Sequence, residues 1–104
     1  MVTSLSPRQA QDLIASTKID IVDVREPGEW STGHLPGARL VPLGELRSNP
    51  EAALLHDGVI FVCAAGVRSQ TAARLAEQLG FNVLYSLTGG TRSWVSAGLP
   101  LVQD

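Results

Sequence analysis

The sequence predicts an α/β domain built around a mostly parallel β-sheet. Short apolar, β-branched runs alternate with amphipathic segments along the 104-residue chain, and the connections between them are short, as in βαβ units. One run, GVIFV, carries no polar side chain, which is typical of a central parallel strand covered on both faces. Apolar residues make up 44% of the chain and can fill one core, so we expect a single domain over residues 1–104.

The first predicted elements are a helix and a buried strand. In SPRQ, Ser6 can cap a helix, Pro7 suits the first helical position and Gln9 can complete a capping box. The apolar positions that follow share one face, which predicts a helix over residues 7–16. IDIVDV, at residues 19–24, is a β-branched run bounded by turn residues and predicts a buried strand.

The middle of the chain is rich in turn residues. PGEWSTGHLPGA contains three glycines and two prolines, which predicts a loop with one helical turn near Glu29 and Trp30. ARLVP predicts a short strand that stops at Pro42, because proline cannot donate to a strand ladder. Short helices are predicted at residues 43–47 and 50–55.

The last third of the chain predicts two more strands and two helices. The apolar GVIFV strand is followed by a helix for which Ser69 is the predicted N-cap and Gly80 the predicted C-terminal glycine. NVLYSL predicts the next strand. TGG then predicts a tight turn, and a final helix is predicted over residues 91–97.

Charge and composition narrow the classes of partner. The formal net charge is −2 with both signs interspersed, so nothing indicates a basic surface for nucleic acid or for membrane lipids. No apolar run approaches the about 18 residues of a membrane span, and MVTSLSPRQAQDL lacks the features of a signal peptide. We therefore expect a cytoplasmic protein whose partners are small molecules or other proteins.

The single cysteine, Cys63, stands where the GVIFV strand gives way to a helix. Such a cysteine is either a small buried hydrophobe or a reactive thiol. Ligands of open α/β sheets bind where the strands' carboxyl ends meet helix N-termini, which places this thiol at the mouth of a site. Small side chains and Gly66 allow successive loop amides to point inward as an anion-binding nest. These amides, the helix dipole and Arg68 would lower the thiol pKa.

Three separated motifs, IVDVREPGEWSTGHLPGARLVPL, CAAGVRS and LTGGTRSW, resemble in order and spacing those of rhodanese-like domains, which are single-domain sulfurtransferases. The resemblance covers nearly the whole chain, from Leu5 to Pro100. It implies a rhodanese-like fold, with a five-stranded, mostly parallel sheet flanked by helices on both faces. It also implies that Cys63 takes sulfur from a donor such as thiosulfate or a persulfide and passes it to a thiol or cyanide. No cofactor is implied.

The resemblance implies that the backbone amides of the loop stabilise the negative charge of the persulfide. Related phosphatases and arsenate reductases place five residues between cysteine and arginine, whereas CAAGVR has four, which favours sulfur over phosphate chemistry. Many active members have a basic residue directly after the cysteine. The alanine at that position predicts modest affinity for dianionic thiosulfate and a better reaction with an uncharged or protein-borne persulfide. The implied substrate-binding amides are those of Ala64, Ala65, Gly66, Val67, Arg68 and Ser69.

The resemblance further implies structural support around the loop. We expect Asp23 or Glu26 to pair with Arg68 in a buried charge network, whose loss would cost about 3 kcal/mol or more. His34 matches a position that braces the loop and is given no catalytic role, and His56, in a polar turn, is expected on the surface. One cysteine and two distant histidines do not form a zinc site, so no metal is predicted.

Two functions from different classes remain open. One is an enzyme that moves sulfane sulfur from a small donor to a thiol or cyanide. The other is a persulfide relay or protein-binding module, in which Cys63 takes sulfur from one protein and presents it to another with little turnover on free thiosulfate. The thiol and its loop support both functions.

Overall fold

A computed structural model describes residues 1–54 and 56–103 of the chain. None of the helices in these residues is long and apolar enough to span a membrane. The strands are β1 (Val2–Leu5), β2 (Asp20–Asp23), β3 (Arg39–Leu40), β4 (Val59–Val62) and β5 (Leu84–Leu87). The helices are α1 (Pro7–Ser16), α2 (Pro27–Trp30), α3 (Leu43–Ser48), α4 (Pro50–Ala53), α5 (Val67–Gln78) and α6 (Gly90–Ser96).

The five strands form one sheet in the order β1-β5-β4-β2-β3, and every neighbouring pair is parallel. In this register Asp23 of β2 pairs with Val62 of β4, and Phe61 of β4 pairs with Ser86 of β5. From β2 the chain moves outward to β3, whereas from β4 it moves the other way to β5. The two directions diverge at the carboxyl ends of β2 and β4, which is where open α/β sheets bind ligands. The predicted fold is confirmed.

Two hydrophobic cores lie on opposite faces of this sheet. Because side chains alternate along a strand, Val59 and Phe61 of β4 face one core, while Ile60 and Val62 face the other. All four side chains are fully buried, as predicted for a central strand. Helices α3 to α5 complete the first core through Leu46, Ala53, Ala72, Ala73 and Ala76, and α1 and α6 complete the second through Ala10 and Trp94.

The first helix follows its prediction. Ser6 Oγ accepts a hydrogen bond from the Gln9 amide at 3.2 Å, and Gln9 Oε1 accepts one from the Ser6 amide at 2.8 Å. This reciprocal capping box satisfies two amides that would otherwise lack partners at the helix start. Strand β1, directly before it, is absent from the sequence prediction. Its segment, VTSL, exposes Thr3 and Ser4 at the sheet edge and therefore lacks the apolar pattern of the inner strands.

Several element boundaries differ from the predictions. Helix α5 begins at Val67, directly after Gly66, so the prediction of Ser69 as its N-cap is wrong. Helix α6 occupies residues 90–96 rather than 91–97, and β2 is two residues shorter than predicted. Helix α4 ends at Ala53, and the end predicted at Leu55 lies outside the described residues.

The C-terminal end of α5 confirms its predicted glycine. The Gly80 amide donates to the Glu77 carbonyl at 3.0 Å, and the Phe81 amide donates to the Ala76 carbonyl at 3.2 Å. These two bonds are those of a Schellman motif, in which a left-handed glycine ends the helix. Phe81 then packs against the first core, so the turn also directs the chain back toward the sheet.

Candidate active site

The neighbouring carboxyl ends of β2 and β4 bring reactive and charged residues to one edge of the sheet. Cys63 directly follows β4, and Asp23 is the last residue of β2, two positions before Arg25. The Val24 amide donates to the Val62 carbonyl at 2.9 Å, which ties the chain beyond β2 to the end of β4. The thiol therefore lies next to the charged segment that connects β2 to α2.

A tight turn between β4 and α5 surrounds the thiol with amides. Gly66 adopts φ +94° and ψ 2°, a left-handed conformation that glycine tolerates better than other residues. This conformation directs the amides of Gly66 and Ser69 at Cys63 Sγ, at 3.1 and 3.3 Å. Two of the amides predicted to hold negative charge thus donate to the sulfur itself.

These contacts make the Cys63 thiol more acidic. The side chain is buried, with 1% of its surface exposed. Burial raises the pKa of the Cys63 thiol, but hydrogen bonds from the Ser69 hydroxyl and from the amides of Ser69, Gly66 and Ala65 outweigh it, so the pKa is lowered overall. Ser69 Oγ lies 3.6 Å from Sγ. Because the thiolate rather than the thiol is nucleophilic, the lowered pKa increases the fraction of Cys63 in the form that can react.

The start of α6 supports the loop from behind. The Thr91 amide donates to the Cys63 carbonyl at 2.8 Å, and the Arg92 amide donates to the Ala64 carbonyl at 3.2 Å. With their carbonyls bound on this side, the loop residues can turn their amides toward the thiol. Gly90 makes this approach possible, because a Cβ there would overlap the Cys63 carbonyl oxygen and lie 2.5 Å from the Ala64 carbonyl carbon. The TGG turn is therefore part of the loop's support.

Arg68 pairs with a carboxylate other than the two predicted. Its Nη1 and Nη2 donate to Oε1 and Oε2 of Glu29 at 2.7 and 2.8 Å. Hydrogen bonding to Arg68 and to the Glu26 amide lowers the pKa of Glu29 to about 2. Asp23 pairs with Arg25 and Glu26 is exposed, so the prediction that either of them pairs with Arg68 is wrong. The physical reason is that the helical turn of α2 places the Glu29 carboxylate next to the Arg68 guanidinium.

Asp23 belongs instead to a buried ion pair with Arg25, and the two residues are 1% and 4% exposed. Nε and Nη2 of Arg25 donate to the Asp23 carboxylate at 3.0 and 2.8 Å. The same guanidinium donates to the carbonyls of Glu29 and Gly33 at 3.3 and 2.8 Å. Arg25 therefore holds α2 against the end of β2, and with it the carboxylate that binds Arg68.

His34 packs into the same segment. Its ring stacks on the Trp30 indole with centroids 3.5 Å apart and planes inclined by 5°. Its backbone pairs with Val102, which fixes the chain directly after the Gly33 carbonyl that Arg25 binds. His34 therefore helps to hold α2 and the turn after it, while its bracing of the cysteine loop stays a prediction. His56 is exposed, as predicted.

Glu29 and Ser86 are contributors that the sequence prediction lacks. Ser86 is fully buried in β5, and its Oγ lies 2.8 Å from Ser69 Oγ. The sequence does carry a signal for Ser86: its hydroxyl lies between Tyr85 and Leu87 in the predicted strand NVLYSL, and a polar group that becomes buried needs a partner. Glu29 has no comparable signal, because its pairing depends on where α2 lies relative to α5.

The mouth of the site is apolar and carries little free charge from the loop. Val67 is 73% exposed, and Ala65 is also exposed. The loop's one cation, Arg68, is bound to Glu29. Across residues 1–54 and 56–103, no group of three or more His, Cys, Asp and Glu side chains is placed to hold a metal ion. The exposed part of the loop is therefore apolar, while the thiol itself is 1% exposed.

Sequence comparison relates the chain to sulfur-handling proteins. A family model described as the rhodanese-like domain matches residues 6–97. Thiosulfate sulfurtransferase GlpE of Pseudomonas aeruginosa is 35% identical over 92 residues, which cover 88% of this chain and 83% of that protein. The putative sulfur carrier protein YrkF of Bacillus subtilis is 32% identical over 84 residues, which cover 81% of this chain and 45% of that protein.

Structural comparison agrees. A rhodanese-related protein from Thermoplasma volcanium superposes with a TM-score of 0.86 at 31% identity, over 98% of this chain and 99% of that chain. The chain spans 61%, 45% and 26% of the length of the first curated relatives that it matches. From the match over residues 6–97, the shared five-stranded fold and the cysteine loop at its carboxyl edge, it follows that this chain belongs to the rhodanese-like domain family.

Proposed function

We propose that the protein is a sulfurtransferase that carries sulfane sulfur on Cys63. The supporting observation is the thiol at the end of β4, which is buried and accepts hydrogen bonds from the Gly66 and Ser69 amides. The relative GlpE is named a thiosulfate sulfurtransferase, which supports thiosulfate as a donor. The acceptor is a thiol or cyanide.

The first step loads the cysteine. The Cys63 thiolate attacks the outer sulfur of thiosulfate and forms a new S–S bond, while the bond between the outer sulfur and the sulfonate sulfur breaks. Sulfite leaves with the electron pair of that bond, and Cys63 becomes a persulfide with an anionic terminal sulfur. The step needs no added oxidant, reductant or proton.

The second step unloads the cysteine. Cyanide or an acceptor thiolate attacks the terminal sulfur, the S–S bond of the persulfide breaks, and Cys63 leaves as a thiolate. The products are thiocyanate or a new persulfide. Negative charge lies on the cysteine or its terminal sulfur before and after each step, and the loop amides of residues 64–69 together with the start of α5 would stabilise it.

The position of Arg68 supports sulfur rather than phosphate chemistry. An arginine that binds a tetrahedral oxyanion directs its N–H groups at the anion. Both terminal nitrogens of Arg68 are instead bound to Glu29, at 2.7 and 2.8 Å. Together with the four residues between Cys63 and Arg68, this contact leads us to assign Arg68 a structural role in the loop rather than a role in binding substrate.

The mass of the intact protein tests the proposal. After incubation with thiosulfate we expect the protein to gain one sulfur atom, and after excess cyanide to lose it as thiocyanate. Cys63→Ser should show neither change. No gain in the wild type, with the thiol confirmed as reduced and open to alkylation, would contradict transfer from thiosulfate.

A persulfide relay is the second candidate, favoured by the mouth of the site. Ala64 occupies the position after the cysteine, Val67 is 73% exposed, and Arg68 is neutralised by Glu29. Such a surface attracts a dianion only weakly and is better suited to an uncharged or protein-borne persulfide. The relative YrkF is named a putative sulfur carrier protein, which supports this alternative.

A basic residue at position 64 tests whether the missing cation limits the reaction with thiosulfate. We expect Ala64→Arg to lower the KM for thiosulfate by about tenfold, because a new cation beside the thiol attracts the dianion. Ala64→Met, of similar length without charge, is the matched control and should leave the KM unchanged. Steady-state kinetics with cyanide as acceptor measure both variants. An unchanged KM in Ala64→Arg would sink the idea that the missing cation limits thiosulfate use.

A further inference from the structure

A second hydroxyl lies behind the one that contacts the thiol. Ser86 Oγ in β5 is 2.8 Å from Ser69 Oγ in α5, and Ser69 Oγ is 3.6 Å from Cys63 Sγ. Ser86 and Ser69 are each 0% exposed. Ser86 lies beside Phe61 in the sheet register, two residues before Cys63, so β5 itself places the hydroxyl on the α5 side of the sheet. The three side chains therefore form a buried chain that runs from β5 to the sulfur.

The direction of hydrogen bonding along this chain depends on the charge of Cys63. A thiolate sulfur only accepts, so Ser69 donates to it, and the Ser69 oxygen then accepts from Ser86. A neutral thiol can donate to Ser69, which then donates to Ser86. The hydrogen bond from Ser69 to the thiolate is stronger than the bond from a neutral thiol to Ser69. The bond between Ser86 and Ser69 is then strengthened by polarisation. The chain as a whole therefore favours the thiolate.

We propose that Ser86 is a positioning residue for Cys63. Its hydroxyl holds the Ser69 hydroxyl in the orientation that donates to the sulfur. Without Ser86, the Ser69 hydroxyl loses the donor that faces its oxygen and can rotate away from the thiolate. This inference deepens the proposed function and rests on it in taking Cys63 as the reacting atom. Its effect is on the ionisation of the thiol, which can be measured without any sulfur transfer.

Charged groups near the thiol act separately from this chain. Arg68 on α5 has a raised pKa, chiefly through its hydrogen bonds to Glu29 and also through the charges of Cys63 and Asp23. Glu29 on α2 and Asp23 at the end of β2 are the carboxylates that act on Arg68, and Arg92 on α6 is exposed. Replacing Ser86 removes none of these charges. A change in thiol ionisation in the variant therefore reports on the hydroxyl chain.

The pH dependence of alkylation by iodoacetamide tests the proposal. In Ser86→Ala we expect the midpoint of the profile to move to higher pH, so that alkylation below the midpoint slows about threefold. In Ser69→Ala, which removes the direct donor, alkylation should slow about tenfold. Ser4→Ala is the matched control, since Ser4 is the register partner of Ser86 on β1 but is exposed, and its profile should equal that of the wild type.

The double variant decides whether Ser86 acts through Ser69. Once Ser69→Ala is in place, adding Ser86→Ala should produce no further slowing. Ser86→Thr, which keeps a hydroxyl, should restore the profile toward that of the wild type. An unmoved midpoint in Ser86→Ala would overturn the proposal, and so would a full additional shift in the double variant.

The same measurement separates this proposal from the proposed function. A shifted alkylation midpoint in Ser86→Ala would support the positioning role even if the wild type took no sulfur from thiosulfate. Persulfide formation by a Ser86→Ala variant with an unmoved midpoint would support sulfur transfer and overturn the positioning role. Thermal unfolding of each variant confirms that the profiles compare folded proteins.

Discussion

Two arginines near the candidate active site bind carboxylates, but in very different surroundings. The Arg25–Asp23 pair has side chains that are 5% and 1% exposed, whereas both side chains of the Arg68–Glu29 pair are 36% exposed. Removing one partner of a buried pair leaves a charge without water or a counter-ion, while an exposed charge is simply hydrated. The sequence predicts a large loss of stability on removal of Arg68. We therefore expect that loss on removal of Arg25 instead.

We expect Arg25→Met to lower the free energy of unfolding by about 3 kcal/mol or more, because it leaves the Asp23 carboxylate buried and unpaired. Arg68→Met is the matched control and should cost about 1 kcal/mol or less. Urea unfolding followed by circular dichroism measures both. Equal losses in the two variants would show that burial does not set the difference between these pairs.

The Glu29 carboxylate gives a pH dependence with a defined sign. Its pKa is lowered in the folded protein from 4.5 to about 2, so the pair's stabilisation is present above pH 4.5 and is lost as the pH falls toward 2. We expect Glu29→Gln to be less stable than the wild type by about 0.5 kcal/mol at neutral pH, a value reduced by exposure. Near pH 2 the difference should vanish. Unfolding curves across this pH range measure it, and a difference that grows on acidification would contradict the assignment.

Single residues differ in how far the sequence predicts them. Cys63 and the small side chains after it stand together in the sequence, so their position at a strand end and their turn could be predicted from local pattern. The pairing of Arg68 with Glu29 and of Ser69 with Ser86 joins residues on separate elements. Such contacts depend on the packing of α2 and β5 against α5, which local pattern does not contain.

At the scale of elements, the backbone at the start of α6 lies directly against the cysteine loop, with the Thr91 amide 2.8 Å from the Cys63 carbonyl oxygen. We expect Gly90→Ala to slow persulfide formation by about tenfold or more, because its Cβ would displace the Cys63 and Ala64 carbonyls and turn the amides away from the sulfur. The rate of sulfur gain by mass, together with the alkylation rate of Cys63, measures the effect.

Gly98→Ala is the matched control for this substitution. Gly98 has φ +82° and Gly90 has φ +62°, but a Cβ at Gly98 would meet nothing within 4 Å. The control therefore imposes a similar backbone strain of about 1 kcal/mol without the collision. It should lose stability and keep the alkylation rate of the wild type. A matching loss of reactivity in Gly98→Ala would mean that strain, rather than contact with the loop, controls the site.

Elements that carry their own signals are predicted well, and those that depend on neighbours are not. The capping box of α1 and the four buried residues of β4 contain sufficient local information. Strand β1 is different, because Thr3 and Ser4 are exposed and its strand conformation depends on pairing with β5 at the sheet edge. The predicted start of α5 is wrong for a related reason: the Ser69 hydroxyl contacts the Cys63 thiol rather than capping the helix.

At the scale of the whole molecule, one sheet separates two cores, and the inner strands contribute to both. Leu46 of α3 lies in one core, and Trp94 of α6 lies in the other. Strand β4 places alternate side chains in each, so neither core can lose its packing without disturbing the strand that forms the wall of the other. The candidate active site lies at the carboxyl edge of this shared wall, and its geometry therefore depends on both cores.

Because the two cores share this sheet, a substitution that destabilises one core should also destabilise the other. Leu46→Ala should lower the free energy of unfolding by about 2 to 5 kcal/mol, since the leucine is 0% exposed. In a Trp30→Phe background, Trp94 fluorescence reports on the opposite core, and its urea midpoint should fall together with that of the circular dichroism signal. Leu79→Ala, at a position 45% exposed, is the matched control and should shift both midpoints little. A Trp94 midpoint that stays in place while the dichroism transition moves would mean that the two cores unfold independently.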